Sequence, residues 1–176
     1  MRVVRFACLI VACALAGRAH AEVVETSTNG FRLKTDLEVA ASPPAVFKAV
    51  GQIGQWWNGD HTYSGKASNM TLPLSANACF CEALPGGGSV RHGVVVMVMP
   101  DRLVRLDAPL GPLQAEAVSA VLTFEMKPNA SGTTLTVTFN VGGAREARAA
   151  KPEGIDAVIT EAATRLKAYA ETGKPQ

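Results

Sequence analysis

The chain has 176 residues, of which 48% are hydrophobic and 18% charged, with a formal net charge of +2. That composition accommodates one domain with a substantial core and excludes a disordered or disulfide-dense chain. Lys and Arg are scattered rather than gathered into a stripe, so the electrostatic footprint of nucleic-acid binding is missing.

Met1 to Ala21 reads as a secretory leader: basic Arg2 and Arg5, an apolar run from Phe6 to Ala16, and Ala19-His20-Ala21 as a small-x-small cleavage site. The run falls short of the roughly 20 apolar residues that span a bilayer, so no membrane span is expected. Ile10-Val11-Ala12-Cys13 resembles a lipobox and keeps open an alternative in which Cys13 becomes a lipid-modified terminus. Cleavage after Ala21 removes Arg2, Arg5 and Arg18, taking the basic residues from 17 to 14 against 15 acidic ones, a net charge of −1. It also removes Cys8 and Cys13, which leaves Cys79 and Cys81 in an oxidising compartment. The boundaries expected are a leader over 1–21, an N-terminal extension over 22–30, one domain over 31–173 and a tail over 174–176.

Phe31 to Ala41 alternates apolar and polar positions as a half-buried strand does. Ser42-Pro43-Pro44 then opens a short helix to about Val50, and a second turn of helix runs from Ile53 to Trp57. A polar loop from Asn58 to Ser68 carries Asp60, His61 and Tyr63. Five or six strand candidates follow: a weak one around ASNMTLPL, the hairpin ACFCEAL and SVRHGVVVMVM about Pro85 to Gly88, then RLVRL, AEAVSAVLTFEM and TTLTVTFNV. PEGIDAVITEAATRLKAYAET spaces Ile155, Val158, Ile159, Ala162, Leu166 and Tyr169 along one face of a long helix that ends near Gly173. An antiparallel sheet needs cover for its apolar face, and this helix is the element large enough to give it.

A four-residue turn at Pro85 to Gly88 sets Leu84 opposite Ser89, Glu82 opposite Arg91, Cys81 opposite His92 and Cys79 opposite Val94. In that register Cys79, Cys81, His92, Val94, Val96 and Val98 face the helix, while Met97 and Met99 face away. Residues i and i+2 of an extended strand have Cα atoms roughly 6.5–7 Å apart, so free, buried thiols are expected. Cys79, Cys81 and His92 offer three metal-ligand types, but a closed structural site needs a fourth, and the reading as the wall of a pocket is preferred.

Several stretches together resemble the START-like superfamily (SRPBCC, the birch-pollen-allergen-like group), in its secreted bacterial branch: SPPAVFKAV, Trp56-Trp57 followed by HTYSG, CFCEALPGG, LGPLQ, GTTLTVTFNVGG and RLKAYAE. The resemblance spans Phe31 to about Thr172 and extends to the polyketide cyclase/dehydrase and chaperone-ATPase-activator branches. It implies an α+β helix-grip fold, in which a curved antiparallel sheet of six or seven strands wraps a C-terminal helix behind two short helices. It also implies a ligand cavity between sheet and helix. Candidate ligand contacts are Trp56 and Trp57 near the mouth, Cys79, Cys81, His92, Val94 and Phe124 on the sheet, and Val158 and Ala162 on the helix. The function implied is binding of a small apolar or amphipathic molecule by an exported protein, with no cofactor, metal or nucleic acid. The alternative is a cyclase-, dehydratase- or hydrolase-like enzyme using the same cavity, with His92 as general base near Asp60 or His61. A chaperone-activator role conflicts with export.

Overall fold

A computed structural model describes residues 21–145 and 151–175. The leader, apart from Ala21, and the lipobox cysteine Cys13 lie outside the described residues. Eight strands form one antiparallel sheet: β1 (Ala21–Ser27), β2 (Gly30–Val39), β3 (Met70–Thr71), β4 (Cys79–Ala83), β5 (Ser89–Met99), β6 (Leu103–Asp107), β7 (Ser119–Asn129) and β8 (Gly132–Gly142). Their order across the sheet is β1-β2-β8-β7-β6-β5-β4-β3. Two short helices, α1 (Pro43–Gly51) and α2 (Ile53–Trp56), separate β2 from β3, and α3 (Glu153–Thr172) follows β8. This is the helix-grip arrangement expected. The added strand is β1, formed by Ala21, read above as the end of the leader, and by residues read as an extension; it pairs with β2 from Ser27↔Gly30 outward.

Alternation accounts for the central strands. On β7, Ala120, Leu122, Phe124 and Met126 are buried, and on β8, Leu135, Val137, Phe139 and Val141 are buried. Leu33, Leu37 and Val39 of β2 continue that face, and Ile159, Ala162, Ala163 and Leu166 of α3 belong to the same core. The helix ends where Gly173 takes a left-handed φ of 75° and donates its N–H to the Tyr169 carbonyl at 2.8 Å. Arg165 Nε donates to the Trp56 carbonyl at 2.8 Å, and Lys167 Nζ to the Glu38 carbonyl at 2.6 Å, so α3 is tied to both α2 and β2.

The β4–β5 hairpin departs from the expected register, and the turn is the cause. Leu84 N–H closes on the Gly88 carbonyl at 2.8 Å, so the turn uses five residues and Ala83, not Leu84, sits opposite Ser89. Gly86 and Gly87, with φ of 79° and 87°, supply the left-handed backbone this turn needs. Glu82 consequently pairs with Val90 and Cys81 with Arg91. A bulge then inserts His92 as an extra residue on β5, Phe80 meets Gly93, and Cys79 regains its expected partner Val94. The bulge has room for Gly93 alone, because a Cβ there would lie 2.6 Å from the Ala108 Cβ and 2.7 Å from the Asp107 carbonyl oxygen.

The faces of β4 are therefore exchanged. Phe80 and Glu82 point inward and are buried, while Cys79 and Cys81 lie on the outer face, beside exposed Arg91 and half-buried Val94. A second bulge between Val95 and Met97 turns Val95 into the core and leaves Val96 and Met97 exposed, contrary to the inward placement expected of Val94 and Val96.

The expectation of free thiols is also overturned: Cys79 and Cys81 are joined as a disulfide. The pairing is irregular between Phe80 and Cys81, and the two Cα atoms are 5.3 Å apart, inside the range a disulfide spans and below that of an ideal strand. With a sequence separation of only two, the bond closes the smallest of loops, and chain entropy assigns it about 1.5 kcal/mol. Peptide mapping without reduction is expected to find the segment carrying Cys79 and Cys81 two hydrogens lighter than its reduced form. Alkylation of either thiol in the unfolded, unreduced chain would contradict the bond.

Candidate functional site

A cavity of about 600 Å³ opens between the N-terminal half of α3 and the end of the sheet. Helix α3 lines it with Ile155, Val158 and Ile159, and the loop after β6 adds Leu110 and Pro112. The segment after α2 contributes Trp57, His61 and Tyr63, and His92 reaches it from the β5 bulge. The walls are mainly apolar, with a few polar groups among them, including Lys151 just before α3.

The wall formed by residues 57–63 is pinned to α3 by one carboxylate. Asn58 Oδ1 accepts from the Asp60 N–H at 3.0 Å and so shapes a single 3-10 turn over Gly59–His61. Its Nδ2 donates to Glu161 Oε1 at 2.7 Å, while His61 Nε2 and Glu161 Oε2 lie 3.0 Å apart. Trp57 Nε1 donates to the His61 carbonyl at 3.1 Å, which holds the indole against the cavity. On the opposite rim, Tyr63 Oη donates to the Gly111 carbonyl at 3.3 Å.

Beneath this rim lies a buried ion-pair geometry. Glu82 and His92 are 1% and 5% exposed, and His92 Nε2 is 2.8 Å from Glu82 Oε2. The same carboxylate accepts the Tyr63 N–H at 3.2 Å on Oε2 and the Ser64 N–H at 2.5 Å on Oε1. Burial acts to raise the Glu82 pKa, but hydrogen bonds from Ser64, His92 and Tyr63 outweigh it and hold the carboxyl below its usual range. The imidazole ring is fixed between two aromatic neighbours, with Phe80 at 5.0 Å and Tyr63 at 5.9 Å between ring centroids. Because the carboxylate can only accept, the ring nitrogen facing it carries the proton, and in the neutral imidazole the other nitrogen presents a lone pair.

Of the residues singled out in the sequence, Trp57, His92 and Val158 line the cavity together. Trp56 is sealed in the core with its Nε1 donating to the Ala49 carbonyl at 2.7 Å, and Phe124 and Ala162 are core residues as well. The disulfide and Val94 lie on the sheet's outer face, outside this cavity. Asp60 is exposed and does not line it, whereas His61 does. Sequence reasoning missed Glu82, which it paired with Arg91 on the outside, and Glu161. Gly93 carried the missing signal, since an isolated glycine within a strand pattern marks a bulge. Among the described residues, no group of three His, Cys, Asp or Glu side chains is placed to hold a metal ion.

No family model matches the chain, and no curated protein does. Solved structures do share its fold. A conserved protein of unknown function from Enterococcus faecalis is 13% identical over 90% of this chain and 80% of its own, with a TM-score of 0.61. An AHSA1-like protein from Aeromonas hydrophila is 14% identical over 81% of this chain and 93% of its own, with a TM-score of 0.56. The di-domain ARO/CYC protein StfQ of the steffimycin biosynthetic pathway is 13% identical; the match covers 82% of this chain but only 51% of StfQ, with a TM-score of 0.55. The chain thus shares the helix-grip fold of AHSA1-like and ARO/CYC proteins.

The Glu82 carboxyl has a folded-state pKa below the ordinary glutamate value of 4.5, so its contribution to stability is full above that value and is lost as pH falls through the folded one. Glu82→Gln is expected to lower stability at neutral pH by about 2 kcal/mol, since one of the two backbone N–H donors loses its acceptor. Thermal melts of both proteins from neutral to acid pH should show this gap closing below pH 4.5. A gap that stays constant would contradict the assignment.

Proposed function

We propose that the chain is exported and holds a small apolar or amphipathic molecule in the cavity between its sheet and α3. The cavity carries this reading: its volume of about 600 Å³ suits a small organic molecule, and its apolar walls from α3 and the Leu110–Pro112 loop meet few polar groups. A ligand that buries roughly 300 Å² of apolar surface there gains about 7 kcal/mol before association costs, which makes micromolar affinity attainable. The buried His92–Glu82 couple favours a second reading, in which the same cavity removes a proton from the bound molecule and the protein is an enzyme. Mass spectrometry of the molecule recovered after incubation separates the two: an unchanged mass and structure supports the carrier.

Trp57 lines the cavity and Trp56 does not, so a naphthalene-type probe should quench Trp57 emission saturably. Val158→Trp, which fills the cavity from α3, is expected to weaken that binding at least tenfold while the fold persists. Ala162→Trp should instead destabilise the core by about 2 kcal/mol through overpacking. Absence of saturable binding by any apolar probe would overturn the reading.

Export rests on the basic, apolar and Ala19-His20-Ala21 pattern of the first 21 residues. Intact-mass measurement of the protein recovered from its host's exported fraction is expected to find Glu22 as the first residue. A lipid-modified Cys13 would replace cleavage after Ala21 with the lipoprotein alternative.

A further inference from the structure

The two ring nitrogens of His92 have different fates. Nε2 is committed to Glu82, a carboxylate already fixed by the N–H groups of Tyr63 and Ser64. In the neutral ring that arrangement places the proton on Nε2 and leaves Nδ1 as an acceptor, with no hydrogen-bond partner among the described residues. Three of the donors in the cavity wall are occupied, while Lys151, which also lines it, makes no hydrogen bond to His92. Tyr63 Oη donates to the Gly111 carbonyl, Thr62 Oγ1 to the Gly59 carbonyl at 2.7 Å, and Trp57 Nε1 to the His61 carbonyl. His61 also lines the cavity beside a carboxylate, but its side chain is 35% exposed and water competes for it. His92, at 5% exposure, is the acceptor from which a ligand gains most.

We propose that His92 Nδ1 selects molecules that donate a hydrogen bond to it, so the cavity takes an apolar molecule bearing a weakly acidic hydroxyl, a phenol or an enol. This rests on the cavity reading above and narrows it to a ligand class. Glu82 is a positioning residue: it does not touch the ligand and acts by fixing the tautomer and tilt of the imidazole. When the hydroxyl becomes acidic enough, its proton passes to Nδ1, leaving an oxyanion next to an imidazolium whose Nε2–H remains on Glu82. No electrons change hands and no further reactant is needed.

The test compares two probes of nearly equal size, 2-naphthol and 2-methoxynaphthalene, on the full exported protein. The methoxy compound cannot donate and leaves Nδ1 unpaired, so wild-type protein is expected to bind 2-naphthol about tenfold more tightly. His92→Phe should abolish the preference while both probes still bind. Bound 2-naphthol, a photoacid, should emit as naphtholate in wild-type protein through transfer to Nδ1 and as neutral naphthol in His92→Phe. Glu82→Gln offers both a donor and an acceptor to Nε2, frees the tautomer, and should cut the preference and the naphtholate emission several-fold. The wild-type comparison decides even where a variant fails to fold. Equal affinity for the two probes, with neutral emission from bound naphthol, would overturn the proposal and leave the cavity reading standing. Failure of both probes to bind would overturn the cavity reading, and the proposal with it.

Discussion

A glutamate side chain with no exposed surface must be compensated, and the way Glu82 is compensated organises one end of this protein. An unpaired carboxylate in the interior costs several kcal/mol, more than most single packing interactions return. Glu82 meets that cost with three donors: the imidazole of His92 and the N–H groups of Tyr63 and Ser64. The donors come from two separate constraints. The β5 bulge turns His92 inward, and the chain leaving the 3-10 turn at Gly59–His61 brings Tyr63 and Ser64 overhead.

The cavity follows from the same arrangement. With the 57–64 segment anchored from below by Glu82 and sideways by Glu161 of α3, Trp57, His61 and Tyr63 are held as a rim rather than collapsing onto the sheet. Small and branched side chains on the facing part of α3 leave space there, whereas farther along the helix Ala163 and Leu166 close tightly into the core. In the proposed carrier, apolar surface would provide the affinity and His92 the chemical discrimination. The division matches what buried polar groups do elsewhere: they add little net stability but penalise occupants that leave them unpaired.

Most of the fold was legible because it rests on long periodic segments. The alternation in β7 and β8 and the helical spacing of Ile159, Ala162 and Leu166 dictate which faces are buried, and the structure keeps those faces. Two strands were harder for physical reasons. β3 has only two residues, and β1 lies where the sequence reads most strongly as a cleavage region. The site was less legible than the fold, since its register hung on one turn. A single additional residue in the turn after Ala83 moved Cys79 and Cys81 outside and brought Glu82 and Phe80 inside, while the bulge kept His92 where the simple register had it. Two errors of one residue cancelled at Phe80↔Gly93 and Cys79↔Val94, beyond the bulge, and at no pair between it and the turn. The disulfide was discounted on ideal strand geometry, which β4 abandons at that same bulge.

The bulge delivers His92 to Glu82, and the carboxylate leaves a neutral imidazole one defined proton position. Nitrogen-15 NMR of the imidazole side chains, recorded in alkaline buffer where imidazole is neutral, measures that position directly. His92 is expected to show a single fixed tautomer, protonated on Nε2 and bare on Nδ1, with the Nε2 proton shifted downfield by its carboxylate partner. A His92 protonated on Nδ1, or one averaging between tautomers as an exposed histidine does, would contradict it.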